Sequence, residues 1–277
     1  MLRKSHIKKF MLQLSQCLEE RGHKHMQNYT TSHQLEHRTM RFFKDKPVDD
    51  DLRHNLFTIM NRTATSSGMQ TYSVIRVTDQ AKKDQIAEVC KQAYVAEAPE
   101  LLIFVVDTFR MKQIAEEKGY EGESYRSMDI FFQGVADAYL AAQNLTNAIE
   151  SYDLGAVYLG SILNDPQEII DILELPELTF PMVGMLFGYP DDNPQLKPRM
   201  DLKYKVGENS NPYVADITTE LKDYDEEMSY YYDTREKNRR SDTYTDQVVR
   251  KLSTPNPLRQ KLLQVVEKQG FDLMVDE

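Results

Sequence analysis

Apolar positions recur along the chain with two periods, and the places where the period changes mark most of its elements. Near the start, Ile7, Phe10, Met11, Leu14 and Leu18 fall at helical spacing and predict an amphipathic helix. Ser32 is placed to cap a short helix running into His37. Pro47 and Asp49-Asp50-Asp51 open the next helix, striped by Leu52, Leu56, Ile59 and Met60 and ending near Arg62. Tyr72 to Thr78 reads as a strand, and Asp79 caps a helix that runs to about Val89. Leu101 to Asp107 is apolar up to its last residue and too short for a buried helix, so it predicts a buried strand. Met128 to Tyr152 is the longest helical pattern, with one Gly and no Pro. Its Ile130, Phe131, Val135, Ala138, Tyr139, Ala142, Leu145 and Ile149 spread around much of the circumference, predicting a helix that is both central and in contact with a second subunit. Gly155 to Gly160 predicts a short strand, Asp165-Pro166 the cap and first position of a helix ending around Leu175-Pro176, and Phe180 to Tyr189 a further strand.

The texture changes after Pro190. Residues 191–199 form a proline-punctuated loop and 200–215 read as extended and irregular. Residues 216–233 predict one polar helix with a tyrosine face at Tyr224 and Tyr230 to Tyr232, followed by a basic loop from Thr234 to Arg240. Two last helices follow, at about 243–252 and 257–269. This tail has too few apolar residues for a core of its own and must lie against the body or a partner chain. Strands separated by helices, with a large buried helix and a wrapping tail, give a single α+β domain.

Composition narrows the function. With 277 residues, 40% hydrophobic and 28% charged, the chain can bury a substantial core. A net charge of −10 excludes broad nucleic-acid or anionic-membrane binding but leaves room for a local basic pocket. Cys17 and Cys90 are far apart and in no metal or redox spacing, which fits a reducing, cytoplasmic setting. The longest apolar run, Leu101 to Val106, is too short to span a bilayer. The N-terminal stretch lacks the apolar core and small-residue cleavage site of a secretory signal, and Glu19 and Glu20 speak against an organelle presequence. Met26 reads as a natural start, which leaves residues 1–30 as an extension to a domain spanning 31–277.

No GxGxxG, Walker loop, HExxH or GxSxG occurs. His6, His23, His25, His33 and His37 precede Arg38, His54 sits on a helix, and none has ligand spacing, so no metal is expected. Asp129, Asp137 and Asp171 read as solvated or capping groups. What stands out is His37-Arg38-Thr39-Met40-Arg41, where two guanidinium forks flank a hydroxyl and suit a phosphate or a heterocycle edge. A hydroxyl run, Thr63 to Gly68, and the proline-stiffened pair Lys197-Pro198-Arg199 could share that site. Each alone also fits solvated charge or a plain connector. Together they offer anion and heterocycle binding with no side-chain reagent, the pattern of a protein that binds and orients a cofactor.

These motifs recur in a recognisable order: His37-Arg38-Thr39-Met40-Arg41-Phe42-Phe43, then Thr63 to Gln70 leading into Ser73 to Asp79. Gly155 to Gly160, Phe187-Gly188-Tyr189-Pro190, Asp192 to Arg199, and Tyr231-Tyr232-Asp233-Thr234-Arg235 with Arg239-Arg240 follow. From about Thr31 to Gly270 the chain resembles the oxygen-insensitive NAD(P)H nitroreductase and flavin reductase P branch of the nitroreductase superfamily. The resemblance implies an α+β fold with a mixed β-sheet flanked by helices, and a homodimer with FMN at the interface and a tail wrapping the dimer. It implies NADPH or NADH as reductant, and ping-pong transfer of two electrons to a nitroaromatic, a quinone or free flavin. Neither nucleic acid nor membrane takes part. By position, Arg38, Lys197 and Arg199 would hold the phosphate, with His37 and Thr39 lining that end, and Arg41 would approach the pyrimidine edge. Thr65, Ser66, Ser67 and Gln70 would run along the ribityl chain and ring, Gln92 would bond the ring edge, and Tyr158, Leu159 and Gly160 would pack on the ring face away from substrate. Arg235, with Arg239 and Arg240, would meet the nicotinamide nucleotide. Two arginines of this branch are missing, one at the place of Leu163 and one around Pro255-Asn256-Pro257, and the hydroxyl loop at Gly68 is shorter. A low-turnover flavin store or sensor, and a member acting on a halogenated aromatic or on flavin itself, are the alternatives.

Overall fold

The computed structural model describes residues 28–234 and 242–273. The amphipathic N-terminal stretch and most of the basic loop after Thr234 lie outside the described residues. The chain divides after His37 into two units. In the first, helix α1 (Tyr29–Leu35) is capped by Asn28 and not by Ser32. The Asn28 side chain accepts from Thr31 N at 3.0 Å while the Thr31 hydroxyl accepts from Asn28 N at 2.8 Å, a reciprocal cap that starts the helix ahead of Ser32.

The second unit carries a four-stranded sheet, β1 (Tyr72–Arg76), β2 (Glu100–Asp107), β3 (Gly155–Leu159) and β4 (Thr179–Gly188), in the order β1-β2-β4-β3. Its pairings are all antiparallel. The parallel component of the expected mixed sheet is one bridge, Thr39 to Ala156, on the outer edge of β3. β2 alternates strictly: Leu102 and Phe104 face one core, Leu101, Ile103 and Val105 the other. Both faces are covered, which is why its sequence is continuously apolar. The first core is closed by α2 (Asp50–Met60) and α6 (Met128–Ser151), the second by α3 (Gln80–Cys90) and α7 (Pro166–Leu173). Asp49, Asp79 and Asp165 cap α2, α3 and α7, with Pro166 at the first position of α7. The sequence pattern does not reveal α4 (Tyr94–Glu97) or α5 (Phe109–Glu117).

In the tail, the expected single helix is two, α8 (Ile217–Glu220) and α9 (Lys222–Thr234), with the Asp216 side chain capping the first and Leu221 buried between them. α10 (Tyr244–Ser253) and α11 (Leu262–Lys268) follow. Val265, Val266 and Phe271 pack with Phe131 and Phe180 in a third cluster, so this end of the tail completes the body. α10 instead buries no residue, and Val249 and Leu252 stand 62% and 75% exposed. The central α6 behaves likewise on one side: Ala138, Ala141, Ala142, Leu145 and Ile149 are buried, while Phe132, Tyr139 and Leu140 are exposed. No helix among the described residues is long and apolar enough to cross a membrane.

Candidate functional site

The basic stretch lies along the edge of β3 and the end of β4. Met40 N donates to Ala156 O at 2.9 Å, Lys44 N to Tyr189 O at 2.9 Å, and Asp191 N to Phe42 O at 3.0 Å. Close docking requires Gly155, where a Cβ would fall 2.4 Å from Met40 Cγ. Arg38 is half-buried, and its Nε is enclosed without a hydrogen-bond partner among the described residues. Thr39 makes the bridge to β3. Arg41 lies beside Tyr94: burial raises the pKa of the Tyr94 hydroxyl, and the charge of the Arg41 guanidinium opposes the rise. His37 belongs to the first unit, at the end of α1.

The hydroxyl loop is seated on α6. Asn144 Nδ2 donates to Ile59 O at 3.0 Å and to Thr63 Oγ1 at 2.9 Å, fixing the exit from α2. Further on, the Asp137 carboxylate accepts from Ser66 N at 2.8 Å, Thr71 N at 3.0 Å and Thr71 Oγ1 at 2.9 Å. Asp137 is fully buried, and this corrects the expectation of a solvated or capping group: its partners come from a distant segment that wraps onto the helix. Asp129 and Asp171 do lie at the surface, each bonded to a glutamine one turn away. Between Ser66 and Thr71 the backbone is left-handed at Ser67, Gly68 and Gln70, with φ of 50°, 72° and 54°.

At the end of β3, the Tyr158 hydroxyl sits 2.6 Å from Thr146 Oγ1 on α6. Leu159 is turned into the second core, so only its backbone is available to a ligand. Gly160 opens a 3₁₀ turn (Gly160–Asn164) and has nothing within 4 Å of a Cβ position. In that turn Ser161 Oγ donates to Gln92 Oε1 at 3.0 Å. Burial pushes the neighbouring Cys90 thiol up, an effect that the nearby Ser161 hydroxyl opposes. Arg259, which the sequence reading missed, reaches the same turn and donates to Gly160 O at 2.8 Å.

Gln92 and the turn at Gly160 are thereby linked through Ser161, and Arg41 faces Tyr94, two residues beyond Gln92. Thr65, Ser66, Ser67 and Gln70 form a second group on α6. Lys197 and Arg199 are exposed, with Arg199 Nη1 donating to its own loop at Lys197 O, 3.0 Å, and Pro198 O, 3.2 Å. Their loop is rooted at Asp191 on the Phe42 carbonyl. Arg235, Arg239 and Arg240 lie outside the described residues. Among the described residues no group of three His, Cys, Asp or Glu could hold a metal ion.

Residues 35–189 match the profile described as Nitroreductase family, and residues 197–274 that described as Nitroreductase family, C-terminal domain. A protein of Staphylococcus saprophyticus named NADPH-dependent oxidoreductase is 34% identical over 239 residues, covering 85% of this chain and 94% of its own. Among solved structures, Vibrio harveyi NADPH:FMN oxidoreductase complexed with NAD+ superposes with a TM-score of 0.80 at 30% identity, covering 89% of this chain and all of that one. B. megaterium NfrA2 superposes with a TM-score of 0.83 at 29% identity over 90% of this chain.

Proposed function

The chain belongs to the nitroreductase family, and from that premise we propose that it is an FMN-dependent oxidoreductase that takes two electrons from NADPH or NADH and passes them to a small acceptor. The observation that carries the reading is Arg38. A buried guanidinium nitrogen without a partner is costly unless a ligand completes it. A phosphate is the ligand its fork suits, and Lys197, Arg199 and Thr39 are the residues proposed to share it.

Bound FMN supplies the acceptance and return of hydride, so no protein nucleophile is needed. The chain's own residues bind and tune. Arg41 places a fixed cation at the proposed pyrimidine edge, where it favours added negative charge. Gln92 Oε1 is occupied by the Ser161 hydroxyl, which leaves the amide NH₂ to donate to an acceptor on the ring edge. Thr65, Ser66, Ser67 and Gln70 are assigned to the ribityl chain and ring. Tyr158, Gly160 and the backbone of Leu159 form the closed face, so that reductant and acceptor use the other in turn, a ping-pong order. The acceptor class is a nitroaromatic, a quinone or free flavin. Arg235, Arg239 and Arg240 are assigned to the nicotinamide nucleotide.

The proposed assembly is a homodimer. The exposed apolar face of α10 at Val248, Val249 and Leu252, and that of α6 at Phe132, Tyr139 and Leu140, support it by their need for cover.

The test is direct. Purified protein is expected to be yellow, to bleach with NADPH or NADH without oxygen, and to regain colour on adding a quinone, a nitroaromatic or FMN. Steady-state rates against both substrates should give parallel double-reciprocal lines. Protein that is colourless and takes up no added FMN would overturn the reading.

A further inference from the structure

We propose that Asp137 and Arg110 are positioning residues that clamp the Thr65–Gln70 turn from opposite sides and hold it in the shape in which it meets the flavin. The inference rests on the reading of that turn as part of the FMN site.

The turn does not hold itself. Ser67 and Gln70 are non-glycine residues in left-handed backbone, with φ of 50° and 54°, where the Cβ crowds the following carbonyl oxygen. No side chain caps the short 3₁₀ turn there, and none of Ser66, Ser67 and Gly68 is buried. A segment in this conformation persists where its surroundings determine it.

From inside, Asp137 accepts the backbone N–H of Ser66 at 2.8 Å and of Thr71 at 3.0 Å, one on each side of the left-handed residues. A carboxylate shut away from water is tolerated when donors satisfy it, and here the Thr71 hydroxyl at 2.9 Å adds a third. One turn earlier on α6, Gly134 lets the segment approach: a Cβ there would lie 2.8 Å from Thr71 O. Gly134 thus stands in a helix interior, where glycine is otherwise less favourable than alanine.

From outside, Arg110 on α5 donates from Nη2 to Gln70 O at 2.6 Å and to Tyr72 O at 3.1 Å. Its own backbone is fixed by a hydrogen bond from Arg110 N to Asp107 Oδ1 at 3.2 Å. Tyr72 feels both charges: burial raises its hydroxyl pKa, Asp137 adds to the rise and Arg110 opposes it. Asp137 is sealed and all its hydrogen bonds run to the loop, so it acts on a ligand only through the turn. Arg110 spends Nη2 on the carbonyls of Gln70 and Tyr72 and Nη1 on the Ser73 hydroxyl at 3.4 Å. These are the features of positioning groups rather than of groups that touch substrate.

The test compares FMN binding to the apoprotein, read by quenching of flavin fluorescence, in the wild type, Arg110→Ala, Arg110→Lys, Asp137→Asn and Gln70→Ala. Arg110 is 47% exposed, so its removal leaves the cores intact. Arg110→Ala is expected to weaken FMN binding about tenfold, the scale of one or two hydrogen bonds to a charged donor. Its melting temperature without FMN should stay near that of the wild type. Arg110→Lys should recover part of the affinity, and the visible circular dichroism of bound flavin should change in Arg110→Ala. Asp137→Asn should weaken binding in the same way; if it does not fold, Arg110→Ala decides. Wild-type affinity and dichroism in Arg110→Ala, with binding weakened in Gln70→Ala, would overturn the clamp while leaving the turn in the FMN site. Unchanged binding in Gln70→Ala and Arg110→Ala alike would overturn the placement of the turn itself.

Discussion

Arg259 donates from Nη1 to the carbonyl oxygen of Gly160 at 2.8 Å, tying the tail to the mouth of the 3₁₀ turn after β3. The same guanidinium approaches Asn164 Oδ1 at 3.5 Å, and Asn256 Nδ2 reaches Asn164 O at 3.5 Å. The branch that the sequence resembles places an arginine in the final helical pair, and the region of Pro255-Asn256-Pro257 has none. An arginine is nonetheless delivered there, just past Pro257. Arg259→Ala should destabilise by about 1 kcal/mol, the net scale of a partly solvated hydrogen bond. It should also speed limited proteolysis between α10 and α11. Urea unfolding and a protease time course measure the two effects, and unchanged cleavage would mean the tail is held elsewhere.

Glu100 is the second point of vulnerability. It is 3% exposed and accepts from Arg76 Nε at 2.6 Å, Arg76 Nη2 at 2.8 Å and Arg53 Nη1 at 3.1 Å. Arg53 also pairs with Asp50, which closes the network at the start of α2. Glu100→Gln keeps the shape and removes the charge, leaving two guanidiniums against one neutral amide. A loss of about 3 kcal/mol is expected, as when one partner of a buried pair is removed. Chemical denaturation checks it, and a change under 1 kcal/mol would mean that the pair behaves as a surface contact.

The strands and the central helix were legible because their apolar runs have distinctive lengths and periods. Asp79 and Asp165 were legible as caps because each stands just before a helical pattern, and Pro166 marked the first turn of α7. Asn28 was missed because Thr31, and not a Glu, closes its reciprocal cap. α5 was missed because it buries no residue and so leaves no full stripe to read. Asp137 illustrates the wider limit. Its partners Thr71 and Ser66 are 66 and 71 residues away in the chain, so only the fold reveals why a carboxylate sits inside. Motif order proposes the candidate site residues, but the contacts around them, Tyr94 beside Arg41 and Ser161 on Gln92, run between segments that sequence spacing does not connect.

Alkaline pH should unfold the protein through its tyrosines. Burial raises the hydroxyl pKa of Tyr72, Tyr94, Tyr139, Tyr158 and Tyr224 above the ordinary 10.0. In the unfolded chain they release protons at about pH 10, while the folded chain still holds them. The folded state therefore binds more protons in that window, and its stability is full below pH 10 and falls as the pH rises through the folded values. The chain contains no Trp, so tyrosinate absorbance reports the titration cleanly. Complete ionisation of all 16 tyrosines before any loss of secondary structure would contradict this order.

Oligomeric state should depend on α10. Val249 and Leu252 are 62% and 75% exposed in the isolated chain. A double change, Val249→Asp with Leu252→Asp, adds two charges to that face without touching a packed core. Sedimentation velocity is expected to show a dimer for the parent and a monomer for the variant. Because the flavin is proposed to lie at the interface, the monomer should also lose its yellow colour. A variant that stays dimeric would move the interface off this helix.

Arg41 and Tyr94 allow the electrostatic part of the proposal to be separated from the structural part. Arg41→Ala removes both the cation and its contact with the Tyr94 hydroxyl. Tyr94→Phe removes only the hydroxyl from that contact and leaves the charge on a freer side chain. If Arg41 acts by placing positive charge at the ring edge, Arg41→Ala should slow flavin reduction by NADPH at least tenfold, a loss of about 1.4 kcal/mol of stabilisation. Tyr94→Phe should change the rate only a few-fold, because the cation remains. Both should bind FMN more weakly than the parent, Arg41→Ala the more so. Rapid-mixing reduction at saturating FMN reads the rate apart from the affinity. Equal rates in the parent and Arg41→Ala would remove Arg41 from the ring, whereas equal losses in the two variants would make its orientation by Tyr94, and not its charge, the controlling feature.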